Sequence, residues 1–118
     1  MLVCLGVLIL AAAEKAFENK IKKFLDEQKC WHVKFFANSF TKKGVPDILA
    51  SVNGYFVGIE VKSATGHPSN LQMHHVSMIR ESGGFAFVVY PSGFEELKKI
   101  ITDLKKDTFR EDLPMILK

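Results

Sequence analysis

The sequence has 118 residues, of which 47% are hydrophobic and 25% are charged, a balance typical of one globular domain and not of a disordered or fibrous chain. The formal net charge of +3 is compatible with a nucleic-acid partner but is too small to identify one. Cys4 and Cys30 cannot build a disulfide framework or a CxxC metal pair, so we expect free thiols in a reducing cytoplasm.

The first 13 residues form an uncharged apolar segment that ends in three alanines. This segment is too short for a transmembrane helix, which needs about 20 residues, so no stable membrane association is expected. It has the length and the small-residue end of a signal peptide cleaved after Ala13, but it lacks a positively charged start. A buried strand, a helix extension and a dimer contact are the alternatives. We therefore separate residues 1–13, of unknown role, from a single domain over residues 14–118.

Hydrophobic periodicity and turn residues predict the remaining elements in chain order. They are a helix over 14–28, a strand over 30–37, a hairpin over 44–62, a helix from Ser69 to about Ser82, a strand over 85–90 and a helix over 94–106. Ser69 and Gln72 have capping-box spacing, and Gly83-Gly84 should end that helix. Pro114 breaks any late helix in the unassigned tail. The order α-β-β-β-α-β-α predicts an α/β fold with a mixed β-sheet flanked by helices.

The hairpin predicts a pair of facing carboxylates. If Asn53-Gly54 forms the turn, Asp47 falls directly opposite Glu60, on the face that also carries Lys62, while the other face is apolar. Opposed carboxylates destabilise a sheet unless a cation lies between them or one is protonated. Mg²⁺ takes one or two carboxylates and keeps several waters, so a metal site is one interpretation and a solvated strand face is the other.

These residues resemble a known family signature. Pro46-Asp47, a gap of 12 residues and Glu60-Val61-Lys62 resemble the PD-(D/E)xK nuclease motif. The segment Gly-Val-Pro-Asp-Ile-Leu-Ala at 44–50 and Ser-Asn-Leu-Gln at 69–72 are similar to the VRR-NUC and Holliday-junction-resolvase-like branch, which includes small phage nucleases. The resemblance covers roughly residues 14–90. It implies a restriction-endonuclease-like core and Mg²⁺- or Mn²⁺-dependent hydrolysis of DNA, branched DNA being one candidate substrate.

The resemblance also implies roles for individual residues. Asp47 and Glu60 would be metal ligands with the Val61 carbonyl as a third, and Lys62 would orient or activate the water or stabilise the phosphate. A glutamate on the first helix would lie near the metal, and Glu18 fits the pattern better than Glu14. Each glutamate could instead be a solvated residue at the helix border.

Other residues are expected at the substrate. By resemblance, Gln72 would touch the site or the scissile phosphate, with helix capping as its alternative role, and Ser39 would match a resolvase loop serine. The basic residues expected to line a phosphate-binding groove are Lys34, Lys42, Lys43, Lys62 and Arg80, although a solvated basic surface explains most lysines equally well. The histidines at 67, 74 and 75 have no zinc-ligand spacing and are expected at the surface.

The predicted partners are DNA and, by resemblance, a second copy of the chain, because resolving a four-way junction needs two symmetric cuts. The main rival is a non-catalytic nucleic-acid-binding module with the same fold. A structural protein with accidental hairpin charges is a further rival, and the facing carboxylates argue against it.

Overall fold

The computed structural model describes residues 2–108 and 111–118 as one mixed sheet with helices on both faces. The elements are α1 (Leu2–Glu27), β1 (Trp31–Lys34), β2 (Ile48–Val52), β3 (Tyr55–Val61), α2 (Asn70–Glu81), β4 (Phe85–Val89), α3 (Phe94–Lys105) and β5 (Ile116–Leu117). The strands lie in sequence order across the sheet. β1, β2 and β3 are antiparallel neighbours, and β4 and β5 continue the sheet in parallel. The predicted fold class is confirmed.

The hairpin has the predicted turn and register. Asn53 and Gly54 have φ angles of 52° and 83°, the left-handed conformation that a two-residue hairpin turn needs and that Asn and Gly tolerate. Val52 pairs with Tyr55, and the ladder continues outward to the pair Ile48 and Ile59. One more step along the same register brings Asp47 opposite Glu60.

Two apolar layers sandwich the sheet. Helices α1 and α3 cover the face that carries Val57, Ile59 and Val61, all fully buried, and this layer forms the main core. Helix α2 covers the other face over β3 and β4, where Val76 packs against Ala86 and Val88. Strand β4 is therefore buried on both faces, as its continuous apolar run predicts.

Helix α2 has the predicted ends. The Ser69 side chain accepts a hydrogen bond from the Gln72 backbone, and the Gln72 side chain accepts one from the Ser69 backbone, so the capping box is complete. Gly83, with a φ of 99°, follows the C-cap residue Ser82. This places the start of α2 directly beside the carboxyl end of β3.

The N-terminal apolar segment is a continuation of α1, which begins at Leu2 and not near residue 14. Residues 4–13 are exposed, so the structure favours the helix extension and excludes the buried strand. Leu5, Leu8 and Ile9 each leave more than half of their surface in solvent. No helix in the described part of the chain is long and apolar enough to cross a membrane.

The C-terminal tail adds a strand that the sequence did not predict. The β5 residues Ile116 and Leu117 pair with Val88 and Val89 of β4 at the edge of the sheet. Arg80 holds the tail in place by donating hydrogen bonds to the carbonyls of Leu113 and Pro114, each 2.7 Å long, and to that of Ala86. The expectation that Arg80 lines a phosphate-binding groove is therefore wrong, because its guanidinium is committed to backbone carbonyls.

Candidate active site

The centre of the site is the pair of carboxylates that the hairpin register brings together. Asp47 is the residue before β2, and its Oδ2 accepts a 2.8 Å hydrogen bond from the Val61 backbone N–H. Glu60 lies near the end of β3 and is 3% exposed. Its neighbour Val61 thus fixes the orientation of the Asp47 side chain through the backbone of β3.

The surroundings of Glu60 raise the pKa of its carboxyl group well above the ordinary value. Burial raises the pKa of its carboxyl group to about 8, and the negative charge of Asp47 adds to the effect, while Lys62 opposes it. Its Oε1 is buried and has no hydrogen-bond partner among the described residues. A buried, unsatisfied oxygen beside a second carboxylate is costly unless a proton or a cation is bound there.

Two side chains satisfy the other oxygen of Glu60. Gln72 Nε2 donates a 2.9 Å hydrogen bond to Glu60 Oε2, and Lys62 Nζ lies 3.6 Å from the same oxygen. Both polar atoms of the Gln72 amide are therefore hydrogen-bonded. Its Oε1 caps helix α2 by accepting from the Ser69 backbone, and its Nε2 donates to the Glu60 carboxylate. The capping role and a place beside Glu60, which the sequence left as alternatives, are therefore compatible in one side chain.

A lysine connects the first helix to this centre. Lys34 is the last residue of β1. Its Nζ lies 2.5 Å from Glu18 Oε1 and 3.3 Å from Asp47 Oδ1. Because Lys34 pairs with Ile48 in the sheet, it points to the same face as α1. From the sequence, Lys34 is expected only in a general basic groove, although the alternation of side chains along β1 could have indicated this bridge.

Glu18 is buried at 4% exposure in a cluster of lysines. Burial alone would raise its pKa, but hydrogen bonds from Lys22, Lys34 and Lys15 outweigh that effect and hold the pKa at about 2. The carboxyl group is therefore ionised throughout the physiological range. The solvated-border interpretation does not apply to Glu18.

Glu14 lies one helical turn earlier and is partly exposed. Burial raises the pKa of its carboxyl group, with a further contribution from the charge of Asp47, while Lys62 and Lys34 lower it. Glu14 thus lies within electrostatic reach of the same centre. Both candidate glutamates of α1 face the site. Glu18 is connected to it through the Lys34 bridge, whereas Glu14 takes part in none of the ion pairs that surround Glu18.

The loop between β1 and β2 carries the remaining predicted residues. Ser39, Lys42 and Lys43 are exposed on this loop, outside the buried centre, where a substrate could reach them. The loop returns to the sheet at Asp47, whose carbonyl accepts a 2.8 Å hydrogen bond from the Phe35 backbone. His67 and His74 are exposed, in line with their expected place at the surface, and His75 is partly buried.

The residues present fit a hard divalent cation of the kind that keeps most of its waters. Asp47 and Glu60 supply two carboxylates, and the unsatisfied Glu60 Oε1 offers a free acceptor. Residues 2–108 and 111–118 hold no group of three or more His, Cys, Asp or Glu side chains that could bind a metal. The site is therefore suited to a partly hydrated ion and not to a cage built entirely from protein side chains.

Comparison with known proteins identifies the family. The model of the archaeal Holliday junction resolvase (hjc) family matches residues 12–104, which include α1 from residue 12 onward, β1, the hairpin, α2, β4 and nearly all of α3. A comparison with curated proteins finds no match. Members of the matching family are in general dependent on a divalent metal. With its paired carboxylates on a mixed five-stranded sheet, the chain belongs to the archaeal Holliday junction resolvase family, a family of PD-(D/E)xK-type endonucleases.

Proposed function

We propose that this protein is an endonuclease that uses Mg²⁺ or Mn²⁺ to hydrolyse DNA phosphodiesters at four-way junctions. The observation that carries the proposal is the pair of Asp47 and the buried Glu60, with an unsatisfied Glu60 oxygen and Lys62 beside it. A structural protein would have no reason to keep this arrangement, because facing carboxylates destabilise a sheet. The family match over residues 12–104 supports the substrate class.

Each residue of the centre has a defined task in this proposal. Asp47 and Glu60, with the Val61 carbonyl, hold the cation, which when bound supplies charge neutralisation and water activation for phosphodiester hydrolysis. Lys62, beside Glu60, places a positive charge where the phosphate becomes more negative, and it orients the attacking water. Gln72 holds the Glu60 carboxylate in one orientation.

Glu18 has a positioning role in this proposal. Its carboxylate fixes the Lys34 ammonium, and Lys34 in turn holds Asp47 Oδ1. Substituting Gln for Glu18 would release Lys34, so we expect a lower apparent affinity for metal and a lower cleavage rate. Glu14→Gln is the matched comparison one turn away on the same helix. A larger effect of Glu14→Gln than of Glu18→Gln would assign the helix glutamate to Glu14.

Cleavage of defined DNA substrates tests the proposed activity. Purified protein is incubated with labelled linear duplex, splayed fork or four-way junction, in Mg²⁺, Mn²⁺ or EDTA. We expect metal-dependent cuts in the junction that are lost in Glu60→Ala and Lys62→Ala. Lys99→Ala, a change of an exposed lysine on α3, should leave cleavage intact.

One result would overturn this activity and favour the rival function. The rival is a non-catalytic DNA-binding module of the same fold. It predicts that the wild-type chain binds the junction tightly but does not cut it, whichever metal is present. The unsatisfied Glu60 Oε1 argues against that rival. A site that no longer binds metal would gain stability by losing one of the two carboxylates.

The exposed lysines of the β1–β2 loop are the proposed contacts to the DNA backbone, together with Ser39. Lys42 and Lys43 are exposed just before Asp47 in the chain. Replacing either lysine by alanine should weaken duplex and junction binding alike and lower the salt dependence by about one counterion per lysine. A change confined to one DNA structure would contradict this role.

We also propose that two copies of the chain act together, because each described chain carries one such centre and a four-way junction needs two cuts. The surface that fits a second copy is the part of the sheet that α2 leaves uncovered. It exposes Trp31 and Val33 of β1 and Phe56 of β3, with exposed fractions of 65%, 38% and 46%. Patches of this kind mark interaction sites in soluble proteins.

Substitution of this patch tests the dimer. Trp31→Asp combined with Phe56→Lys should give a monomer in sedimentation analysis that nicks one strand of the junction without paired cuts. The double variant should keep metal-dependent nicking, since neither residue lies in the centre. A monomeric wild-type chain that makes paired cuts would refute the dimer.

The narrower kinship rests on sequence resemblance. We propose that the chain is related to the VRR-NUC branch and acts in the cytoplasm of a bacterial cell, encoded there by a phage or by the host. The support is the segment 44–50 and Glu-Val-Lys at 60–62, together with two free cysteines.

A further inference from the structure

The β1–β2 loop carries a side chain that the centre described above does not use. Phe40 is 96% exposed, so its ring makes almost no contact with the rest of the chain. Single exposed apolar residues are common and by themselves mean little. The local backbone and the neighbouring charges distinguish this one.

The turn that carries Phe40 is built to hold it outward. Asn38 Oδ1 accepts a 2.8 Å hydrogen bond from the Phe40 backbone, and Thr41 Oγ1 accepts a 2.9 Å bond from the Asn38 backbone. The Thr41 backbone also donates to the Asn38 carbonyl, which closes the turn. An Asn side chain that caps its own turn in this way makes the loop apex a defined structure.

The turn also lies close to the catalytic centre. The hydrogen bond between the Phe35 backbone and the Asp47 carbonyl ties the two ends of the loop together. Phe40 is five residues from Phe35, so it lies within roughly 17 Å of the loop base. At about 3.4 Å per nucleotide along one strand, that distance spans at most about five nucleotides from the base of the loop, where Asp47 lies.

The loop that carries Phe40 is basic. Lys42 and Lys43 are exposed two and three positions after Phe40, and where the loop begins Lys34 of β1 lies 6.0 Å from the centre of the exposed Phe36 ring. Aromatic rings interleaved with cations are the pattern by which proteins hold unpaired bases, because every base offers a π-face and the cations bind its phosphate.

We infer that Phe40 stacks on a nucleobase exposed at the branch point of the DNA and so makes the protein selective for branched over linear substrate. Inside a linear duplex each base is stacked on both sides, whereas in an open four-way junction the bases at the strand exchange are stacked on one side only. The inference rests on the proposed cleavage of branched DNA and adds to it a residue that recognises the branch.

Binding in EDTA, where cleavage does not interfere, tests the inference. The probe is a four-way junction with 2-aminopurine at the branch point, a base that fluoresces more strongly when its stacking is broken. For Phe40→Ala we expect roughly 5- to 150-fold weaker junction binding, the range seen when one base–aromatic stack is removed. In the wild-type complex the probe should become dimmer, because the Phe40 ring stacks on the free face of the base. This fall in fluorescence should disappear in Phe40→Ala, and binding of linear duplex should stay the same.

Two further variants separate stacking from simple apolar contact. Phe40→Leu keeps an apolar side chain of similar size without a π-face and should behave like Phe40→Ala. Phe40→Trp should restore both the affinity and the fall in fluorescence. Because the Phe40 side chain is almost fully exposed, none of these changes should impair folding.

The outcomes distinguish this inference from the proposed function. If the wild-type chain cuts the junction and Phe40→Ala binds and dims the probe as wild type does, the stacking role is overturned and the nuclease stands. Equal loss of duplex and junction binding in Phe40→Ala would also overturn it, since the ring would then serve general affinity. A wild-type chain that neither binds nor cuts any DNA would overturn both.

Discussion

The raised pKa of Glu60 makes the stability of the metal-free protein depend on pH in a defined direction. Burial, reinforced by Asp47, moves this carboxyl pKa from 4.5 to about 8 in the folded chain. The folded protein therefore keeps a proton that the unfolded chain releases. Its contribution to stability is fully present below about pH 4.5 and is lost as pH rises through about 8.

The magnitude follows from the same two pKa values. A change from 4.5 to about 8 corresponds to roughly 5 kcal/mol of free energy of unfolding, taken from acid to alkaline pH. Glu60 is 3% exposed, so solvent screening reduces this value little. Measurement of urea unfolding in EDTA from pH 5 to pH 9 should show the decline, and Glu60→Gln should abolish most of it.

The affinity for metal should depend on pH in the opposite direction to the stability of the metal-free protein. A cation displaces the proton, so apparent Mg²⁺ affinity measured by calorimetry should rise about tenfold for each pH unit up to about pH 8 and then level off. Glu81→Gln, at an exposed carboxylate on α2, is the matched control and should leave both curves unchanged. A pH-independent metal affinity, or a Glu60→Gln variant that declines as wild type does, would refute the assignment of the proton to Glu60.

Three other substitutions test the scaffold, each read as the free energy of unfolding in urea. Lys34→Met leaves the buried Glu18 with one partner fewer and should cost about 1–3 kcal/mol at pH 7, whereas Lys34→Arg should cost less. Gly93→Ala would drive a Cβ into the Leu117 carbonyl, so about 1–3 kcal/mol and faster hydrogen exchange in β5 are expected; unchanged exchange would contradict the contact. Asn53→Ala should cost about 1–2 kcal/mol at a left-handed turn position, and Asn53→Gly should cost clearly less.

Local sequence signals predicted the fold well where one signal dominates. Asn53-Gly54 determined the turn, and the turn determined the register that puts Asp47 opposite Glu60. Ser69 and Gln72 determined the start of α2 in the same way. These features depend on neighbours in the sequence, so a single chain carries enough information to predict them.

The missed features depend on contacts that are distant in the sequence. Strand β5 consists of two residues, and it exists because β4 offers an edge and Arg80 binds the carbonyls of Leu113 and Pro114. No periodicity can appear in a two-residue strand. The early start of α1 remained one of several alternatives for another reason, since a segment that is apolar all round shows no helical stripe.

The bridge from Glu18 through Lys34 to Asp47 shows why the site needed a structure. Three elements meet there, and each supplies one residue from a different part of the chain. The hairpin alone predicts two opposed carboxylates, which would repel each other. The lysine bridge places a positive charge beside Asp47, next to a Glu60 that binds a proton, so the pair is arranged to exchange that proton for a cation and is not merely tolerated by the fold.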